Sequence, residues 1–154
     1  MNAFNFCRHQ KSMGLRESYE EAKARLLSDG SICGENRELW KEFFEWQERK
    51  LKRTNNLATL DNATYKTLNY YIGRFKNVNK WFNNKPWKLL TKEDIQKVYD
   101  DLEDGVIKNH FGKRFSDRKS YYTKVFKSKP FKMAGKASFA EEVFEFYRPK
   151  VTLR

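Results

Sequence analysis

The apolar residues of this chain recur three and four positions apart, which is the spacing that places side chains on one face of an α-helix. The alternation of apolar and polar residues that marks a strand is absent from the sequence, and glycine and proline are few. The pattern predicts six helices, at residues 16–28, 36–53, 62–82, 91–104, 116–129 and 138–147.

Several of the predicted helix ends carry residues whose side chains satisfy the unpaired backbone groups found there. Asn36 and Ser116 are predicted N-caps, because their side chains accept hydrogen bonds from the first helical turn. Thr91 followed by Asp94 resembles a capping box. Pro130 is expected to end or kink the helix that begins at Ser116, because proline lacks an amide hydrogen.

Short connections between these helices predict an all-α protein, a small bundle of four to five helices around one core. We assign residues 34–147 to this bundle. Residues 1–33 are interpreted as an N-terminal extension that is partly helical and loose over its first 15 residues. Residues 148–154 resemble the start of an interdomain linker.

The composition supports a packed domain and excludes several classes of protein. The 154 residues are 39% hydrophobic and 16% aromatic, which is enough for a core. No run approaches the roughly 18 apolar residues that span a bilayer, and no apolar leader opens the chain. Two cysteines make no disulfide scaffold and favour a reducing, cytoplasmic setting. The spacing of Cys7, His9, Cys33 and His110 matches no zinc motif, so no cofactor is expected.

The charge distribution indicates the kind of partner. The chain carries a net charge of +12, and most of it lies in two segments. Residues 54–90 hold six basic and one acidic residue, and residues 106–136 hold ten basic and one acidic residue, whereas the intervening residues 91–105 are net acidic. Two basic segments with so few acids predict two surfaces that approach one polyanion.

Three short motifs occur in a fixed order along the chain. Residues 62–66 read Asn-Ala-Thr-Tyr-Lys, residues 89–95 read Leu-Leu-Thr-Lys-Glu-Asp-Ile with Tyr99 and Leu102 following, and residues 116–119 read Ser-Asp-Arg-Lys. This order resembles the N-terminal core-binding domain of the tyrosine recombinases, the phage-integrase-like and Xer-like site-specific recombinases. The resemblance covers residues 36–147.

The resemblance implies a helical module that grips double-stranded DNA at a recombination half-site, with other recombinase protomers on the same DNA. The catalytic domain of that family contributes an arginine, a His-x-x-Arg box and a tyrosine nucleophile. His110 is followed three positions later by Lys113, not arginine, and it lies inside the predicted binding domain. We therefore expect no catalytic activity from this chain alone, and expect strand exchange to belong to a catalytic domain that it lacks.

The candidate DNA contacts lie near the starts of two predicted helices, where the helix dipole and unpaired amide groups attract phosphate. Arginine and asparagine also read base edges, and lysine mainly supplies attraction to phosphate. The first helix contributes Asn62, Thr64, Lys66, Asn69 and Arg74. The second contributes Lys113, Arg114, Ser116, Arg118, Lys119, Tyr122 and Lys124.

Two alternatives remain open at this point. The first is a free-standing helical DNA- or RNA-binding protein, such as a regulatory or ribosome-associated factor. The second is a basic helical module that binds a protein or a membrane surface. Each lysine taken alone is also explained as solvated helix surface, and adjacent tyrosines such as Tyr121 and Tyr122 cannot both face the core. We favour duplex DNA and expect no membrane partner.

Overall fold

The computed structural model describes residues 14–116 and 121–147, with residues 122, 123, 146 and 147 described by their backbone alone. These residues form helices and no strand, apart from one isolated bridge between Lys108 and Arg114. The prediction of an all-α bundle is confirmed. Its elements are α1 (Leu15–Leu27), α2 (Gly34–Thr54), α3 (Asn62–Trp81), a 3₁₀ turn (Trp87–Leu89), α4 (Lys92–Glu103), a π-helical turn (Tyr122–Phe126), α5 (Lys129–Met133) and α6 (Ala137–Tyr147).

Local sequence explains where α3 and α4 begin. Asp61 is the N-cap of α3, and its carboxylate accepts a hydrogen bond of 2.9 Å from the Thr64 amide. Thr91 and Asp94 form the predicted capping box at the start of α4, with both reciprocal hydrogen bonds present. Gly105 follows α4 with a φ of +74°, a conformation that glycine adopts without steric cost.

The predicted N-cap at Asn36 is wrong. Helix α2 begins at Gly34 with Cys33 as its N-cap, so Asn36 lies within the first turn and is only 1% exposed. Its side-chain amide donates to Asn79 Oδ1, and its Oδ1 accepts a hydrogen bond of 2.8 Å from the Trp87 amide. Asn36 therefore joins α2, α3 and the 3₁₀ turn through buried hydrogen bonds. The local sequence does not distinguish this role from that of an N-cap.

Pro130 also differs from its predicted role. It lies in the first turn of α5, where no amide hydrogen is needed, and Ser128 is the N-cap. Before it, the chain forms the π-helical turn and not a continuous α-helix. Proline therefore begins a helix here and does not end or kink one. The predicted cap at Ser116 depends on residues 117–120, which lie outside the described residues, as do residues 1–13 and 148–154.

The centre of the core is a cluster of aromatic rings. Trp40 of α2 stacks on Phe75 of α3 with 5.6 Å between ring centroids. Trp87 meets Trp40 edge-on at 5.3 Å and lies 4.8 Å from Phe131 of α5. The 3₁₀ turn therefore joins α2, α3 and α5 through one fully buried indole, and aromatic pairs of this kind stabilise beyond the area they bury.

Helix α1 shares this core. Tyr19 and Leu26 are fully buried, and the helix packs against α2 and α3. The Tyr19 hydroxyl donates to the Glu48 carboxylate at 2.7 Å, and Lys23 forms an ion pair with the same oxygen. Burial is the largest of the causes that raise the pKa of the Tyr19 hydroxyl, and the Glu48 carboxylate is the second. The domain boundary at residue 33 stays a prediction, and the helix before it is packed into the bundle.

The four tryptophans differ in how far the bundle buries them. Trp40 and Trp87 are fully buried, and Trp81 is half-buried. Trp46 is 36% exposed on α2. Helical periodicity places Trp46 near the apolar stripe, but no neighbouring element covers its ring completely.

Candidate nucleic-acid interface

A cleft lies between the C-terminal half of α3 and the segment that connects α4 to the π-helical turn. We call it the Arg74 cleft, and its volume is about 700 Å³. Its lining includes Arg74, Asn77, Lys80 and Trp81 from α3, and Lys108, His110, Ser116 and Tyr121 from the later segment. The two basic segments of the sequence therefore meet at one place on the surface.

Aromatic packing holds the two sides of the cleft together. The Trp81 ring lies 4.5 Å from Tyr121 and 5.5 Å from Phe115, centroid to centroid. The Asn77 side-chain amide donates a hydrogen bond of 3.0 Å to the Tyr121 hydroxyl. Because Tyr121 is almost fully buried, these contacts fix the start of the π-helical turn against α3.

Arg74 is held between two aromatic rings. Its guanidinium carbon lies 3.9 Å from the centroid of Tyr70, one turn earlier on α3, and 4.3 Å from that of Tyr121. Cation–π contacts of this kind orient a planar guanidinium without removing its charge. The row Tyr70, Arg74, Asn77 and Trp81 follows the three-and-four spacing of one helix face.

Positive charge dominates the cleft. Arg74 and Lys80 come from the first basic segment, and Lys108 comes from the second. Among the described residues, no aspartate or glutamate lines the cleft, and neither Lys80 nor Lys108 forms an ion pair with another described residue. Lysines such as Lys80 and Lys108 at a concave surface attract phosphate, and counterions are released when it binds.

The far wall of the cleft is a tight loop. The Asn109 side-chain oxygen accepts hydrogen bonds from the backbone amides of Phe111 and Lys113, and the Asn109 backbone amide donates to the Lys113 carbonyl at 2.8 Å. Phe111 is 74% exposed at the tip of this loop. The loop therefore carries His110 and Phe111 beside the cations in a fixed conformation.

Among the predicted contacts on α3, only Arg74 lines the cleft. Asn62 and Lys66 are exposed and Asn69 is half-buried, and the rise of an α-helix places Asn62 about 18 Å from Arg74 along the axis. Thr64 is 5% exposed and its hydroxyl donates to Asp61 at 2.7 Å, so little of its side chain is open to a ligand, and its role as a contact stays a prediction.

The N-terminus of α3 is also unsuited to phosphate in the predicted way. The Asp61 carboxylate already occupies the position that an anion would take at a helix N-terminus. Hydrogen bonds from Thr64 hold the pKa of Asp61 below its usual range, so the carboxylate is charged at neutral pH. The prediction treated Asn62 as a donor to phosphate and took no account of the acidic residue Asp61 immediately before it.

The second set of predicted contacts is described in part. Ser116 lines the cleft, and Lys113 and Lys124 are exposed. The Arg114 guanidinium donates to the Glu103 carbonyl at 3.1 Å, which ties this residue to the end of α4. Arg118, Lys119 and the side chain of Tyr122 lie outside the described residues.

Sequence reasoning missed several residues of the cleft. Asn77 and Lys80 were not among the predicted contacts, nor were Lys108 and His110. Asn77 could have been predicted from the sequence, because its spacing places it on the same helix face as Arg74. Lys108 could not have been predicted in this way, because its loop reaches α3 through the packing of Trp81 on Phe115.

Comparison with family models, curated proteins and solved structures finds no match to this chain. Within residues 14–116 and 121–147, none of the helices combines the length and the apolar character that crossing a membrane requires.

Proposed function

We propose that this chain is a double-stranded DNA-binding module with the role of the core-binding domain of a tyrosine recombinase, and we assign it no catalytic step. The observation that supports this proposal is the Arg74 cleft, where cations from both basic segments meet and no carboxylate of the described residues lines the surface. Sequence motifs supply the family resemblance, and the cleft supplies the candidate surface.

The arrangement of cations on α3 suits a duplex backbone. Lys66, Arg74 and Lys80 extend over about 21 Å along the helix axis, which is the length of roughly six base-pair steps. Lysine ammonium groups bind phosphate as point charges, whereas the oriented guanidinium of Arg74 binds two oxygens at once. Arg74 and Lys80 thus offer phosphate contacts from one wall of the cleft, and Lys108 offers another from the opposite wall.

The test is a mobility shift with duplex DNA over a salt series. The test variant is Lys80→Gln with Lys108→Gln, which removes two charges from the cleft without disturbing its aromatic packing. The control is Arg25→Gln with Lys97→Gln, which removes two charges that are exposed and already paired with Glu21 and Asp101.

We expect the cleft variant to reduce the slope of log affinity against log salt by about 2, since each phosphate contact contributes about 0.9. At 0.1 M salt the same two contacts correspond to an affinity loss of about 60-fold. The control should change the affinity by less than about threefold, because long-range charge is screened. Equal losses in the two variants, or an unchanged slope in the cleft variant, would refute the proposal.

A further inference from the structure

A second basic cleft shares no lining residue with the Arg74 cleft. We call it the Trp46 cleft. It lies between α2 and the start of α5, and its volume is about 290 Å³. Its lining includes Trp46 and Lys50 from α2, and Lys127, Ser128, Lys129 and Lys132 from the later segment.

Two ammonium groups lie against the face of one exposed indole. Lys50 Nζ is 4.8 Å from the centroid of the Trp46 ring, and Lys129 Nζ is 4.2 Å from the same centroid. The two residues come from different elements, so the tertiary fold brings both cations to this ring. Within the described ranges neither lysine forms an ion pair, and the lining holds no carboxylate.

A buried hydroxyl at the same cleft has no hydrogen-bond partner among the described residues. Ser128 is 8% exposed and occupies the N-cap position of α5, yet its side chain makes no capping hydrogen bond. Its Oγ is buried, and no described residue forms a hydrogen bond with it. Buried polar atoms are rarely left in this state, and an incoming acceptor such as a phosphate oxygen would satisfy the hydroxyl.

We propose that the Trp46 cleft binds one unpaired nucleotide of a nucleic-acid strand, with its base on the indole and its phosphate among the lysines and Ser128. A half-exposed tryptophan provides a stacking surface for any base, and lysines nearby bind the backbone. Stacking of a base stabilises more than an exposed cation–π contact, so Lys50 or Lys129 moves from the ring to the phosphate as the base arrives. The volume of the cleft, about 290 Å³, suits a single nucleotide.

The test measures the binding of a fluorescently labelled oligothymidylate of eight nucleotides by anisotropy, with Trp46→Ala, Trp46→Phe and Ser128→Ala variants of the full chain. Removing the stacking surface should weaken oligothymidylate binding about tenfold, and phenylalanine should restore most of it. The Ser128→Ala variant should weaken binding about threefold. Thermal melting is measured alongside, and each variant should remain folded at the assay temperature, because Trp46 is already 36% exposed and the Ser128 hydroxyl makes no hydrogen bond with a described residue.

Measuring the binding of both duplex DNA and oligothymidylate to the variants of each cleft distinguishes this site from the Arg74 cleft. Trp46→Ala should leave duplex binding unchanged, and Lys80→Gln with Lys108→Gln should leave oligothymidylate binding within about twofold. The inference is overturned if Trp46→Ala binds oligothymidylate as the parent does. It is also overturned if inorganic polyphosphate or anionic vesicles compete as well as the oligonucleotide, since neither supplies a base. Neither result would bear on duplex binding at the Arg74 cleft.

Discussion

Replacing Asn36 by alanine tests the buried polar junction on which the position of the 3₁₀ turn depends. The Asn36 side-chain amide donates to Asn79 Oδ1 at 2.9 Å and to the Lys85 carbonyl at 3.1 Å. Its oxygen accepts from the Trp87 amide at 2.8 Å. The junction continues from Asn79 to the Asn84 side chain at 3.1 Å, so one asparagine links α2, α3 and the segment after α3.

The magnitude follows from the groups that the substitution leaves without partners. Alanine removes three hydrogen bonds, and the Trp87 amide and Asn79 Oδ1 each lose a partner in a buried site, while the Lys85 carbonyl loses one in a partly buried site. A buried polar group without a partner costs about 1–3 kcal/mol. Allowing for partial relaxation, we expect Asn36→Ala to lower the free energy of unfolding by about 3–5 kcal/mol, a large share of a typical domain's total.

The assay is urea denaturation followed by circular dichroism. Asn62→Ala serves as the matched control, because Asn62 is exposed on α3 and should change the free energy of unfolding by less than about 0.5 kcal/mol. A loss below about 1 kcal/mol for Asn36→Ala would refute the reasoning, since the three hydrogen bonds would then contribute little to stability.

Two further predictions concern α4. The hydrogen bond from Lys85 to the Asp94 carboxylate holds the pKa of Asp94 below its usual 3.8. Since the pKa is lower in the folded protein, the ionised carboxylate stabilises the protein above about pH 4 and this contribution is lost as the pH falls further. Asp94→Asn should therefore flatten the dependence of the urea midpoint on pH between about 4 and 2, and an unaltered dependence would contradict this. Gly105→Ala forces alanine to adopt a φ of +74° and should lower the unfolding free energy by about 1 kcal/mol in thermal melts. Gly105→Asn should cost less, because asparagine tolerates this region, and equal melting temperatures for both variants would count against backbone strain.

The helices and the capping box of α4 could be predicted because their causes lie within a few residues of each other. Thr91 and Asp94 are three positions apart, so their reciprocal hydrogen bonds form in any context that allows the helix. The start and end of α6 follow equally from its apolar spacing. Arg74 was predicted as a contact because it is a basic residue on a predicted helix within a basic segment, and its position in the cleft came from the structure.

Residues with two compatible roles could not be assigned from their neighbours. Asn36 fits an N-cap as well as a buried junction, and only the approach of Asn79 and the Trp87 amide decides between them. Pro130 is compatible with the end of one helix or the start of the next. The π-helical turn ends before it, at Phe126, so Pro130 lies at the start of α5. Asp61 also makes the predicted phosphate contacts at Asn62 and Thr64 unfavourable, because its carboxylate lies at the N-terminus of α3, where a phosphate would bind.

The sequence by itself determined that this protein is helical and that its positive charge lies in two segments, because helix periodicity and charge are properties of the chain read in order. The tertiary structure decided which cations share a surface. Lys80 and Lys108 are 28 positions apart and meet through the packing of Trp81 on Phe115 and Tyr121. Such pairing depends on how large aromatic side chains from distant elements fill a common core, and no local pattern contains that information.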